Sequence, residues 1–332
     1  MALSDSAKKQ YLTLIRSFRK AKIFVIGDFI LDQFIWGKVD RISPEAPVPV
    51  VHVQKESFML GGSLNVAHNI HSLHGLVFPC GVLGRDREGR MLRRVIAGRK
   101  IDTGGIVYES GRPTSVKTRI IAHSQQVVRF DREKLGEVSP ESRQSIFEFV
   151  NERIPHMDVV IIEDYGKGVI EETFVKKVIR LAKQRRKPVL VDPKEKNFSF
   201  YSGATLVTPN RKEAFQGADH LRIAHDENVH KAGKALVKKM KCDSVLITLG
   251  EDGMVLFEKN GRVTEIPTAA REVFDVSGAG DTVISVLALS LAAGAKIKDA
   301  AVLSNLAAGI VVGKLGTATV SPEELTQAVL AS

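Results

Sequence analysis

Two short glycine-bearing segments hold the residue types that can handle a phosphate. The first is Phe274-Asp275-Val276-Ser277-Gly278-Ala279-Gly280-Asp281-Thr282, which leads into the apolar run Val283 to Ala293. That run reads as a buried helix, whose opening amides lack partners within the helix and, with its dipole, favour an anion. The small residues let a ligand approach the backbone closely. Asp281 falls in the first turn, where a carboxylate can take a proton from a hydroxyl held beside the anion. Phosphoryl transfer needs little beyond alignment, charge stabilisation, a metal ion and such a base. The dipole should favour the charged carboxylate and give Asp281 a low pKa. A plain glycine-rich turn before a core helix would not require Asp at both ends. The second segment, Leu60-Gly61-Gly62-Ser63-Leu64-Asn65-Val66-Ala67, opens another helix with Val66, Ile70 and Leu73 on one face. Gly61 and Gly62 allow tight approach, and Asn65 offers both a donor and an acceptor to hydroxyl groups.

The elements that must position these segments alternate. Lys22 to Gly27, Asp158 to Ile162, Pro188 to Val191, Thr205 to Val207 and Val245 to Thr248 read as buried strands. Helical patterns such as Glu172 to Lys187 and Asp226 to Lys241 lie between them, which predicts βαβ units, a mostly parallel sheet and an α/β fold. Ligands in such sheets sit at the carboxyl ends of strands. Several strands here end in polar residues, at Gly27-Asp28, Glu163-Asp164, Asp192-Pro193-Lys194, Pro209-Asn210 and Leu249-Gly250, as one shared cleft requires. Two regions break the alternation. Ile35 to Val53 is β-branched and interrupted by prolines, and Thr114 to Phe130 alternates strand formers with polar residues. Both predict a small separate β-sheet lid, formed by 29–55 and 113–131 and inserted into a single domain spanning 1–332. At period two, Lys117 and Arg119 share a face of that lid and can converge on an anion.

Composition narrows the class. The chain has 332 residues, 44% hydrophobic and 26% charged, and no apolar stretch long enough for a membrane span. Its amphipathic N-terminus is no signal peptide. Cys80 and Cys242, with no CxxC, exclude a disulfide framework or cysteine zinc site and fit a reducing cytoplasm. A net charge of +10 fits either nucleic acid or anionic small molecules. The densest basic run, Lys183 to Lys187, reads as a solvated helix end rather than a nucleic-acid surface. His68, His71 and His74 diverge around one helix, which argues against zinc. Neither GxGxxG after the first strand nor GxxxxGK[ST] occurs, excluding a Rossmann dehydrogenase and a P-loop kinase.

Taken together, the paired glycines near the N-terminus, Gly84-Arg85-Asp86-Arg87-Glu88-Gly89 and the late Gly-Ala-Gly-Asp resemble the ribokinase/PfkB family of carbohydrate kinases over nearly the whole chain. Val25-Ile26-Gly27-Asp28 with Asp32, Arg41 to Val50, Asp164-Tyr165-Gly166-Lys167-Gly168, Val191-Asp192-Pro193-Lys194 and Val312 to Thr317 are similar to its heptose 7-phosphate kinase branch. That resemblance implies ATP-dependent phosphorylation of the anomeric hydroxyl of D-glycero-β-D-manno-heptose 7-phosphate, on the route to ADP-heptose and lipopolysaccharide. With no HxGH motif before Ser332, the adenylyltransferase step is expected in another protein.

By the same resemblance, Asp281 is the catalytic base and Gly278, Ala279 and Gly280 form the anion hole. Asp28, Asp32, Gly61, Gly62 and Asn65 face sugar hydroxyls, while Lys117, Arg119, Arg129 and Lys167 are candidates for the sugar phosphate. Asn210 and Glu213 organise Mg²⁺ and phosphates, Lys194 meets a nucleotide phosphate, and Thr248, Gly250 and Gly253 form the nucleotide-side loop. Asn305, Ala308 and Gly309 wall the adenine site. Asp275, with carbonyls near Val311 to Thr319, would hold a monovalent cation such as K⁺. The exposed edges and apolar faces of the lid favour a homodimer.

Overall fold

The computed structural model describes residues 3–123, 125–221, 228–270, 272–314 and 316–332. Among them is a nine-stranded sheet flanked by helices. Its order runs Val263–Ile266, Met254–Glu258, Ser244–Thr248, Leu206–Val207, Val189–Asp192, Val159–Glu163, Lys22–Gly27, Leu76–Gly84, Gly105–Glu109. The first two strands pair antiparallel and the rest parallel. The α/β expectation is thus met, with two antiparallel strands added at one edge.

Side-chain alternation builds the two cores. Ile23 and Val25 enter one apolar cluster with the helices Ser63–Ser72, Ala279–Ala292 and Ile297–Val311. Phe24 and Ile26 enter the other, with Pro140–Arg153 and Glu172–Gln184. All four strand residues are fully buried, each contributing about 1.5–3 kcal/mol of transfer free energy. The helix expected from Asp226 is Val229–Met240, and Asp226 itself lies outside the described residues.

A separate four-stranded sheet runs in the order Pro49–Gly62, Phe29–Ile42, Ser115–Ala122, Gln125–Arg132. The strand Pro49–Gly62 runs beyond the expected limit at residue 55, so one element carries the lid hairpin directly into the helix Ser63–Ser72. The register places Asp32 beside Lys117 and Phe34 beside Arg119. The last strand is exposed at every position, with Val127, Val128 and Phe130 open to solvent.

Candidate active site

Sheet register creates the floor of the site. Gly27 pairs with Glu163, and Glu163 pairs with Asp192, so three strands end side by side. The helix Ala279–Ala292 begins above them. Its N-cap Gly278 has φ 78°, a left-handed conformation that L side chains adopt reluctantly, and no side chain caps this end. The Ala279 amide donates to the Val276 carbonyl at 3.2 Å, so it is the flanking Gly278 and Gly280 that line the cleft. Ala279 therefore does not present its amide to a ligand as expected.

Asp281 is buried at this corner and gripped by two donors. Asn65 Nδ2 donates to Oδ2 at 2.5 Å, and the Tyr165 hydroxyl donates to Oδ1 at 2.8 Å. Burial pushes the Asp281 pKa up to about 6; the two hydrogen bonds oppose the rise and Asp32 adds to it. The low pKa expected from the helix dipole is thereby overturned: removal from water outweighs the dipole. The result is a stronger base than the sequence implied. Asn65 meets the base directly, and its own Oδ1 is buried without a hydrogen-bond partner among the described residues, an acceptor left for a hydroxyl.

The cleft in front of Asp281 has a volume of about 500 Å³ and is lined by Lys117, Arg129, Lys167, Lys194 and Lys196 among others. This is where part of the +10 charge gathers. Lys117 lies 5.3 Å from the centroid of the Tyr165 ring, and burial lowers its pKa. Arg129 is forked onto Asp131 at 2.9 and 2.6 Å, Lys167 pairs with Glu133 at 2.6 Å, and Lys194 with Glu195 at 3.0 Å. Arg119 does not line this cleft with Lys117. Its guanidinium pairs with Asp32 at 2.5 Å and lies 5.2 Å from the Phe34 ring centroid. Gly61 is needed beside that pair, because a Cβ there would fall 2.0 Å from Asp32 Oδ2. Gly62 ends the same strand and caps the helix that carries Asn65.

Asp28 has a different task from the one expected. Its buried carboxylate accepts amide hydrogens from Tyr165 at 3.2 Å, Lys167 at 2.9 Å and Val169 at 3.0 Å. It anchors the loop after Val159–Glu163, and burial pushes its pKa up to about 6.

The carboxylates best placed for a metal also differ from those expected. Glu163, Asp192 and Asp281 each offer an oxygen within 4.8 Å of the others. Among the described residues, both Glu163 oxygens are buried without a hydrogen-bond partner, and burial followed by repulsion from Asp192 drives its pKa well up. Asp192 is raised too, first by burial and then by Glu213. A divalent cation with oxygen preference fits such a cluster. Glu213 lines the same cleft and also closes a capping box with Asn210: Asn210 N–H donates to Glu213 Oε2 and Glu213 N–H to Asn210 Oδ1, both at 2.9 Å. Asp275 accepts amides from Ser277 at 2.9 Å and Gly316 at 3.0 Å, which ties two loops together; its cation role rests on the resemblance alone. Leu315, within the expected carbonyl set, lies outside the described residues.

A second cavity, of about 910 Å³, is lined by Pro267–Ala270, Asn305, Leu306, Gly309 and the helix Pro322–Leu330. Asn305 and Gly309 are therefore on its wall. Asn305 Nδ2 donates to the Pro267 carbonyl at 2.8 Å, and Ala308 packs against the core. Thr248 ends its strand against Asn210, and Gly250 and Gly253 bracket the turn that follows.

Sequence reasoning missed Tyr165, Glu163 and Asp192 as site residues. Glu163 and Asp192 stood among the polar strand ends and Tyr165 in the Asp164 to Gly168 motif, but the acidic neighbours come together only through sheet register.

Known proteins agree with this architecture. Residues 20–324 match the pfkB family carbohydrate kinase profile. The chain is 47% identical over 301 residues to "Bifunctional protein HldE" of Geobacter sulfurreducens, covering 91% of this chain and 61% of that protein. It is 47% identical over 304 residues to the same-named protein of Helicobacter pylori strain HPAG1, covering 92% and 65%. The chain thus spans just under two thirds of the length of these relatives. Arabidopsis thaliana ribokinase complexed with ribose and ATP superposes with TM-score 0.71 at 16% identity, over 93% of this chain and 98% of that one. Escherichia coli phosphofructokinase-2 in complex with potassium gives 0.73 at 18% identity, over 94% and 98%. These two share the fold. On profile and relatives, the chain belongs to the pfkB family of carbohydrate kinases.

Proposed function

We propose that the protein transfers the γ-phosphoryl group of ATP to the anomeric hydroxyl of a sugar phosphate, D-glycero-β-D-manno-heptose 7-phosphate, giving the 1,7-bisphosphate for ADP-heptose and lipopolysaccharide synthesis. The observation that carries the transfer is the corner at Asp281: a buried carboxylate held by Asn65 and Tyr165 at the open end of a helix, facing a cleft rich in cations. The heptose comes from the motif resemblance, and the phosphate on the acceptor from the lysines and arginine around the cleft.

In this reading the acceptor hydroxyl bonds Asp281 and gives up its proton as the phosphoryl group arrives in line. Asn65 Oδ1 takes a neighbouring sugar hydroxyl. The amides of Gly278 and Gly280 face the migrating group, and Lys117, Arg129 and Lys167 face the phosphate already on the sugar. Glu163 and Asp192 would hold Mg²⁺, which when bound neutralises charge on the nucleotide phosphates. The adenine would occupy the cavity beside Asn305 and Gly309.

An ATP-consumption assay across sugars and sugar phosphates tests the acceptor. Heptose 7-phosphate should give the highest kcat/KM, and equal turnover of an unphosphorylated sugar would sink the assignment. In the same assay Lys117→Ala should raise KM for the sugar phosphate roughly 10-fold and leave KM for ATP within about 2-fold, as for loss of one charge-assisted contact. A matching rise in both would remove Lys117 from the acceptor side.

The lid should also carry a homodimer. Val127, Val128 and Phe130 leave an apolar strip on its outer strand, which a second copy would cover. Phe130→Asp is expected to shift the protein to monomer in sedimentation velocity; an unchanged sedimentation coefficient would rule this surface out.

A further inference from the structure

We infer that Tyr165 is a positioning residue for Asp281, its phenol holding the carboxylate in the orientation from which it meets the acceptor hydroxyl. The inference rests on the reading of Asp281 as the base, and adds a residue that no motif argument supplied.

The geometry is specific. The Tyr165 hydroxyl donates to Asp281 Oδ1 while Asn65, from another element, donates to Oδ2. Two donors on opposite oxygens fix the plane of the carboxylate, which a single hydrogen bond would leave free to rotate. An off-axis base loses much of the advantage of proximity. A phenol hydroxyl is a donor at neutral pH, and here a carboxylate oxygen lies within its reach.

The loop beneath Tyr165 is built to hold it still. Asp28 takes the amides of Tyr165, Lys167 and Val169. The Gly166 amide donates to Asp164 Oδ1 at 2.8 Å, and Asp164 Oδ2 is held by Asn197 at 2.7 Å and Tyr201 at 2.6 Å. The buried Arg112 donates Nη1 to the Lys167 carbonyl at 3.1 Å and Nη2 to those of Gly136 at 2.8 Å and Glu137 at 2.5 Å. It thereby ties the loop to the chain returning from the lid. The Lys117 ammonium lies over the ring, 5.3 Å from its centroid. A tyrosine with a purely packing role would not need its hydroxyl on the base, nor this many bonds to a short exposed-side loop.

The test is a double-mutant cycle in steady-state kinetics with ATP and the acceptor of highest turnover in the panel above. Tyr165→Phe should lower kcat about 10-fold, as for loss of one hydrogen bond to a charged group, with KM for ATP within about 2-fold. In the Asp281→Asn background the same change should have no further effect. Equal losses in both backgrounds, or a loss confined to KM for the acceptor, would overturn the positioning role. Near-normal turnover of Asp281→Asn alone would overturn the base assignment instead. Asp28→Asn, which loosens the loop and leaves the phenol in place, supplies a second cycle. It should lower kcat in the native background and not in Asp281→Asn; an additive loss would count against the proposal even if Tyr165→Phe does not fold.

Discussion

Asp281→Asn is expected to lower kcat at least about 100-fold, the range for a positioned general base, while ATP affinity changes by less than about 2-fold. The substitution is isosteric, and the surroundings can absorb it. Tyr165 can still donate to the amide oxygen, and Asn65 can turn its unpartnered oxygen toward the new amide nitrogen. What is lost is the capacity to accept a proton. ATP affinity should survive because the large cavity beside Asn305 is separate from the carboxylate, and the cleft cations Lys194 and Lys196 are left unchanged. Steady-state kinetics with nucleotide binding measured independently would check both halves. A variant with weakened ATP binding and intact turnover at saturation would contradict the role given to this residue.

Glu163→Gln is expected to separate stability from function. Glu163 is fully buried, has no hydrogen-bond partner among the described residues, and faces Asp192 and Asp281. In the metal-free protein this cluster is unfavourable, because each carboxylate must bury a charge or take up a proton. A glutamine fills the same space, removes one acid and can donate to both neighbours. Relief of an unsatisfied buried group is worth about 1–3 kcal/mol, so Tm without Mg²⁺ should rise by a few degrees. The Mg²⁺ concentration for half-maximal activity should rise at least about 10-fold, as when support for a metal is removed. Calorimetry and Mg²⁺ titration of the rate read the two effects. A lower Tm with unchanged Mg²⁺ activation would show that Glu163 is a structural residue and not a metal ligand.

Local signals were legible in the sequence, whereas contacts across elements were not. The Gly-Ala-Gly-Asp segment sits within one turn, and its helix start, its buried run and the place of Asp281 could all be read from spacing. The alternating runs gave the parallel sheet, since burial on both faces produces continuous apolar strands. Of the two antiparallel strands, Met254–Glu258 is a buried apolar run that carries no mark of its direction, and Val263–Ile266 is a four-residue edge strand with only Ile266 buried. The resemblance makes Asp28 a sugar ligand; the amides that its carboxylate accepts, from Tyr165, Lys167 and Val169, lie more than a hundred residues on and leave no local signal. Asn210 and Glu213 carry a spacing that serves both for ligand binding and for a capping box; the helix forms the box, and Glu213 also lines the cleft. The Asp281 pKa was misjudged because the dipole is written in sequence position, while burial is a property of the assembled fold.

The central claim is that phosphoryl transfer takes place between the start of the Ala279–Ala292 helix and the Asp281 carboxylate. A crystal structure with Mg²⁺ and a non-hydrolysable ATP analogue tests it most directly. The account places the terminal phosphate within hydrogen-bond distance of the Gly278 and Gly280 amides, with the cation against Glu163 and Asp192. A terminal phosphate seated away from that helix end, with Asp281 still closed off by Asn65 and Tyr165, would contradict it.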